Sequence, residues 1–294
     1  MTPNPPEVCR AVAATNTLGE VPVWDLAEHA LYWVDIEGRL LQRLHEPSGE
    51  VRVWNLPERI GSFALREKGG LVCAFASGFA FFDPETEAID WIARPEAHIP
   101  RNRFNEGKCD RRGRFWAGTM DDHLTDHTGA LYRLDPDLSV HKMAAGIGIS
   151  NTLAWSPDDR TMYFGDTLDS TIYAYDFDSL QGHMTNKRPF FDTKTDPGGP
   201  DGSTVDAEGY LWNAQWDGWR LTRYAPDGRV DKVVPLPVQK PTSCIFGGRD
   251  LRTLYVTTAK WDLTDDELAA QPWAGSLLAL DVGVAGLPET RFAG

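Results

Sequence analysis

Short apolar runs that alternate with polar positions recur along nearly the whole chain, each bounded by a turn rich in Asp, Gly or Pro. A period of two is the mark of half-buried strands rather than helices. The runs come in pairs. His29–Asp35 is followed by Gly38–Leu44, Gly70–Phe75 by Gly78–Asp83, and Gly113–Thr119 by Gly129–Asp135. Asp159–Phe164 is followed by Ser170–Asp176, Gly209–Ala214 by Trp219–Tyr224, and Leu251–Thr257 by Gly275–Asp281. These are about six copies at a spacing of roughly 40 to 50 residues, the period of propeller blades. The expected fold is all-β: one six-bladed β-propeller with four-stranded antiparallel blades, the flanking runs supplying the remaining strands. Residues 1–294 then form a single domain, with 1–14 as a Pro-rich N-terminal arm closing onto the last strands. Helix signals are scarce. The best is Leu263–Ala270, where Thr264 is placed to cap one or two turns.

Composition narrows the function without naming it. The chain has 294 residues, 41% of them hydrophobic, and eleven tryptophans, enough for a large core. Its net charge of -14 argues against nucleic acid and anionic membrane surfaces as partners, since both attract basic patches. Cys9, Cys73, Cys109 and Cys244 are far apart and form no CxxC pair, so neither a disulfide framework nor a zinc-finger pattern is expected. The N-terminus has no basic and apolar leader, and no apolar run approaches the roughly 20 residues of a membrane span. A soluble, cytoplasmic protein is expected.

Three polar residues stand out at strand entries. Asn151 precedes the run Leu153-Ala154-Trp155, which ends in the turn Ser156-Pro157-Asp158 and returns as a second strand-like run. Glu20 precedes Val21-Pro22-Val23-Trp24, and Asp201 precedes Ser203-Thr204-Val205-Asp206. In a propeller such entries converge at one mouth of the central channel. Two carboxylates and an amide there would be a hard oxygen set suited to one divalent cation. Taken singly, each also has a plainer reading: a bulge at Gly19-Glu20, a turn former at Ser150-Asn151, a Pro-Asp-Gly turn at Pro200-Asp201-Gly202.

Read as a set, the motifs resemble the regucalcin/gluconolactonase, or senescence-marker-protein, family of six-bladed propellers. They are Leu18-Gly19-Glu20-x-Pro22-Val23-Trp24, Arg103-Phe104-Asn105-Glu106-Gly107-Lys108-x-Asp110, Phe115-Trp116-Ala117-Gly118-Thr119-Met120, Ser150-Asn151-x-Leu153-Ala154-Trp155-Ser156-Pro157-Asp158 and Pro200-Asp201-Gly202-x-x-x-Asp206. The likeness runs from about Thr17 to Leu280, and Gly209-Tyr210-Leu211-Trp212 with Phe246-Gly247-Gly248-x-Asp250-Leu251 looks closest to bacterial sugar lactonases. The resemblance implies a divalent metal (calcium, zinc, magnesium, manganese or iron(II)) held by Glu20, Asn151 and Asp201. It implies that Arg103 and Asn105 face a sugar ring, with Asp122 and His123 at a further substrate contact. Two positions depart from the family's pattern: Val21 stands where Gly or Ser is usual, and Thr152 where Gly is common.

Those residue types suit hydrolysis of a sugar lactone, a small-molecule ester. A divalent metal polarises the carbonyl and activates water, Asp201 can take the water's proton as the catalytic base, and Arg103 can hold a hydroxyl or developing charge. Without the family, Arg103 reads as a surface ion-pair partner of Glu106. Other chemistries find less support. His123 and His127 lie in a Gly/Thr/Asp-rich loop rather than on a helix, and no Gly-x-Ser-x-Gly elbow or phosphate loop is present. Trp212, Trp216 and Trp219 are expected mostly in blade cores, with one or two available to a sugar ring. The rival readings are a phosphotriesterase-like hydrolase on the same fold and a non-catalytic propeller that binds calcium or a protein partner.

Overall fold

A computed structural model describes residues 6–294; residues 1–5 of the expected arm lie outside the described residues. Strand β1 (Val8–Val12) belongs to the last of six four-stranded sheets. Blade 1 holds β2 (Gly19–Asp25), β3 (Ala30–Asp35), β4 (Leu40–His45) and β5 (Glu50–Asn55). Blade 2 holds β6 (Ile60–Leu65), β7 (Leu71–Phe75), β8 (Gly78–Phe82) and β9 (Ile89–Ala93). Blade 3 holds β10 (Asn102–Cys109), β11 (Phe115–Asp121), β12 (Gly129–Leu134) and β13 (Val140–Ile147). Blade 4 holds β14 (Ser150–Trp155), β15 (Thr161–Asp166), β16 (Thr171–Asp178) and β17 (His183–Asp192). Blade 5 holds β18 (Gly199–Val205), β19 (Leu211–Trp216), β20 (Arg220–Tyr224) and β21 (Val230–Pro235). Blade 6 holds β22 (Pro241–Gly247), β23 (Thr253–Thr258) and β24 (Leu277–Asp281), with β1 as its fourth strand.

The paired runs of the sequence are the second and third strands of each blade. Their apolar residues are buried on both faces because each blade packs against two neighbours. The outermost strands are largely exposed, as in β5 and β17. The N-terminal segment is more than an arm. β1 pairs antiparallel with β24, Val8 opposite Leu280, so the two ends of the chain share one sheet and close the ring. Among the described residues one short helix, α1 (Asp265–Ala270), starts at Thr264 with a reciprocal capping box to Glu267. The core lies between blades, where large rings cross: Trp24 stacks on Tyr255 at 5.7 Å, and Trp116 meets Trp155 at 6.1 Å.

A local motif fixes the far end of two inner strands. In Asp110-x-x-Gly113-x-x-Trp116 the Asp110 carboxylate accepts from the Arg112 and Arg114 amides (2.9 and 3.2 Å), Arg114 Nε (2.6 Å) and Trp116 Nε1 (2.8 Å). Asp206-x-x-Gly209-x-x-Trp212 repeats the arrangement through the Glu208 and Tyr210 amides, Trp212 Nε1 (2.9 Å) and Arg223 Nε (2.8 Å). Each buried acid ties a turn, an indole and a guanidinium together. Replacing Asp110 by Ala leaves Arg114 Nε and the Trp116 indole without their acceptor. Denaturant unfolding is expected to show a loss of about 3–5 kcal/mol; a loss under about 1 kcal/mol would mean that the acid does not hold this corner.

Candidate functional site

The six innermost strands, β2, β6, β10, β14, β18 and β22, ring the axis, and each slips register near its N-terminal end. The bulges fall after Glu20, Ile60, Phe104, Asn151, Pro200 and Pro241. A bulge re-aims side chains that a regular ladder would send into the blade. Pro200-Asp201-Gly202 is therefore not a free turn but a bulge inside β18. At two bulges the backbone is left-handed: φ is 44° at Val21 and 50° at Thr152. A β-branched residue there costs on the order of 1–3 kcal/mol. These are the two positions where the sequence departs from the small residues of the family pattern.

The bulges bring Glu20, Asn151 and Asp201 together with Arg103 and Asn105 around one solvent-open cavity. Met120, Leu124 and Ile149 add apolar wall, and Trp216 and Trp261 form an aromatic side with ring centroids 6.2 Å apart. Of the three tryptophans weighed from sequence, Trp212 is wholly buried and Trp219 is exposed; only Trp216 lines the cavity. Trp261 and Thr167 line it without a signal in their local sequence.

Hydrogen bonding fixes which atoms face inward. A guanidinium only donates, so Arg103 Nη1, 2.7 Å from Asn105 Oδ1, turns the Asn105 amide nitrogen toward Asn151. That nitrogen donates to Ser150 O (3.0 Å) and Asn151 Oδ1 (3.2 Å). On the other side, the Thr167 hydroxyl spends its proton on Pro200 O (2.7 Å) and so accepts from Asn151 Nδ2 (2.8 Å). The Asn151 oxygen is left toward the cavity with a free lone pair. Arg103 itself is held by Asp122 through Nε at 2.9 Å. Asp122 in turn accepts two bonds from Arg59, at 3.0 and 2.7 Å. Its partner is thus Asp122 rather than Glu106.

Asp122 and His123 do not line this cavity. Asp122 sits behind Arg103 and borders a neighbouring polar cleft, where burial raises its pKa but Arg59 and Arg103 bring it below the usual range. His123 is exposed, and its backbone amide bonds Asp121 Oδ1 (3.3 Å).

Electrostatics favour a cation. Burial, then the Glu106 charge, pushes Glu20 up to about 8, with the Val21 amide and Arg103 opposing. Asp201 is pushed well above the carboxylate range by burial, then by Glu20 and Glu106. Glu106 is itself buried and raised to about 7 by desolvation, against the pull of Lys108. Buried like charges of this kind are held ionised by a metal or protonated in its absence. Two carboxylates and an inward amide oxygen suit a hard divalent ion, so the residues fit the group that the sequence implies.

A second group of ligand-type side chains, His127, Asp166 and Asp169, is already committed. Asp166 accepts from the Gly148, Ile149 and Leu168 amides. Asp169 accepts from Tyr173 OH and pairs with His127. All four cysteines are free, three of them buried. Among the described residues no helix is long and apolar enough to cross a membrane.

A family model described as the SMP-30/gluconolactonase/LRE-like region matches residues 18–260. The chain is 39% identical over 285 residues to 6-deoxy-6-sulfogluconolactonase of Pseudomonas putida, covering 96% of this chain and 97% of the relative. It is 39% identical over 283 residues to L-arabinolactonase of Azospirillum brasilense, covering 95% and 93%. Among solved structures, a calcium-binding protein, regucalcin, from Agrobacterium tumefaciens superposes with a TM-score of 0.93 at 32% identity, covering 97% of each chain. With the match spanning all six innermost strands but the end of the ring, the chain belongs to the SMP-30/gluconolactonase/LRE-like family.

Proposed function

We propose that the chain is a lactonase that hydrolyses a sugar aldonolactone, a pentono- or hexonolactone, to its aldonic acid with one divalent cation. The observation that carries this reading is the convergence of Glu20, Asn151, Asp201 and the buried Arg103 on one cavity. Two of its relatives are named for sugar lactones.

A divalent cation bound by Glu20, Asn151 and Asp201 supplies a Lewis acid for the lactone carbonyl and lowers the pKa of water. Calcium, magnesium and manganese suit this all-oxygen set best, with zinc and iron(II) also able to occupy it. Asp201 takes the proton of the attacking water. As the ring C–O bond breaks, it returns that proton to the departing ring oxygen, which leaves as a hydroxyl. Arg103 donates to ring hydroxyls and to charge developing on the ester; its fixed orientation comes from Asp122 and Asn105. Trp216 and Trp261 offer apolar surface to the ring's C–H face.

Hydrolysis of a panel of pentono- and hexonolactones, followed by acid release, tests the reading. Turnover well above the spontaneous rate is expected, lost with chelator and restored by adding metal. Asp201→Asn is expected to lower kcat/KM by about 10²–10⁴-fold. Faster turnover of phosphotriesters than of any lactone would move the assignment to the rival hydrolase. A bound cation with no turnover would leave a binding protein.

Stability against pH gives a second test. Below about 4.5, Glu20 is protonated in both folded and unfolded chains. As pH rises from 4.5 toward about 8, the unfolded chain releases that proton while the metal-free fold retains it. The folded state binds more protons, so its stability falls across that window. A cation binds the ionised form and offsets the fall. The melting temperature in chelator is therefore expected to drop between about pH 5 and pH 8, and the stabilisation by saturating calcium to grow over the same range. A calcium stabilisation that is independent of pH would contradict it.

A further inference from the structure

Three side chains in the bulges of innermost strands reach sideways to the next blade, and each ends on a backbone carbonyl beside a proposed ligand. Thr242 Oγ1 in β22 donates to Gly19 O in β2 at 2.5 Å, on the peptide that leads into Glu20. Asn105 Nδ2 in β10 donates to Ser150 O in β14 at 3.0 Å, on the peptide that leads into Asn151. Thr152 Oγ1 in β14 donates to Asp201 O in β18 at 2.5 Å. The direction is the same each time: blade 6 to blade 1, blade 3 to blade 4, blade 4 to blade 5. Asn105 also lines the cavity, whereas Thr152 and Thr242 are fully buried and do not.

We infer that Thr152 and Thr242 are positioning residues for the cation site, each hydroxyl fixing the backbone from which a ligand on the neighbouring blade projects. A bulge interrupts the ladder, so backbone groups beside it must find partners elsewhere. At Asp201 the carbonyl has two: Thr152 Oγ1 and Asn213 Nδ2 (2.8 Å). Asn213 also donates to Thr152 Oγ1 (3.1 Å) and Ser203 Oγ (2.9 Å), so the clamp is one closed polar cluster away from solvent. Thr242 has a comparable support, with Thr257 Oγ1 at 2.9 Å. The left-handed backbone of Thr152 points to the same role. Glycine would occupy φ of 50° without strain, but it has no hydroxyl to reach Asp201. Gly165 opposite makes the room, since a Cβ there would lie 2.9 Å from Thr152 Cβ. A partner that orients a ligand without touching the ion changes affinity by about 10–100-fold when lost.

This inference rests on Glu20, Asn151 and Asp201 being the cation ligands, and the experiment separates the two. Metal-free protein is titrated calorimetrically with calcium and with manganese(II), with melting followed in chelator. Thr242→Val and Thr152→Val, which keep the branched shape and remove the hydroxyl, are expected to weaken binding by about 10-fold or more. Thr242→Ser and Thr152→Ser, which keep the hydroxyl, are expected to stay within about 2-fold of the parent. A merely structural loss would lower melting in serine and valine variants without this split in affinity. A valine variant that melts cooperatively and binds like the parent overturns the inference. If Thr242→Val does not fold, the same comparison at Thr152 decides. Asp201→Asn is the control: if it binds cations as the parent does, the ligand assignment has failed; if it binds weakly while the valine variants do not, only the clamp has.

Discussion

Two buried carboxylates, Glu20 and Asp201, face one cavity, and the fold must hold them there against their mutual repulsion. No element of local structure would do this. The two residues lie on β2 and β18, in blades 1 and 5, and only radial closure brings the strands to a common axis. Closure in turn depends on β1 completing the sheet of β22, β23 and β24, because an open ring could spread to separate the charges. The packed aromatic rings between blades and the Asp-x-x-Gly-x-x-Trp corners make the blades stiff wedges. The strained bulges at Val21 and Thr152 then stand on a frame that does not relax around them.

The fold was legible because its cause is repetitive. Strands buried on both faces need apolar and aromatic residues wherever the blade recurs, so a period of roughly 40 to 50 residues survives in the sequence. The central pairs of strands were the clearest, being the most buried. The innermost strands were harder to read, since their mouth ends carry polar residues, prolines and glycines that look like turns: Pro200-Asp201-Gly202 is part of β18. β1 was harder still, because its edge position leaves it half exposed and its partner is 270 residues away, as Cys9 to Ala279 shows.

The site was legible in part. Glu20, Asn151, Asp201, Arg103 and Asn105 could be named, and all five line one cavity. What could not be named were residues whose role is set by three-dimensional neighbours. Asp122 looks like a contact in the chain but pairs with Arg103, an ion pair between β10 and the residue that follows β11. Glu106 looks like the nearest acid to Arg103, yet the bulge turns it into the buried interior, where it faces the field of Glu20 and Asp201. Thr167 and Trp261 come from loops whose sequence carries no periodic signal. Pairing across blades has no counterpart in linear spacing, so hydroxyl clamps such as Thr242 to Gly19 are invisible before folding.

The opposite end of the channel completes the electrostatic argument. There the C-terminal segment lies across the strands: Leu287, Pro288, Glu289 and Thr290 border a small space with Lys108. Phe292 is buried, with its amide on Leu65 O (2.8 Å), and Arg291 forks onto Asp25 at 2.7 and 2.8 Å. Lys108 lies 3.7 Å from Glu289 and donates to Ser203 O (3.2 Å), so its charge is already committed at that end. The tail thus covers one end of the barrel of strands, while the mouth with Glu20, Asn151 and Asp201 stays open. Burial at the covered side keeps the dielectric low beneath the carboxylates, and a low dielectric strengthens both their repulsion and their attraction for a cation. The carboxylates open onto the mouth, where Arg103, Trp216 and Trp261 line the same cavity.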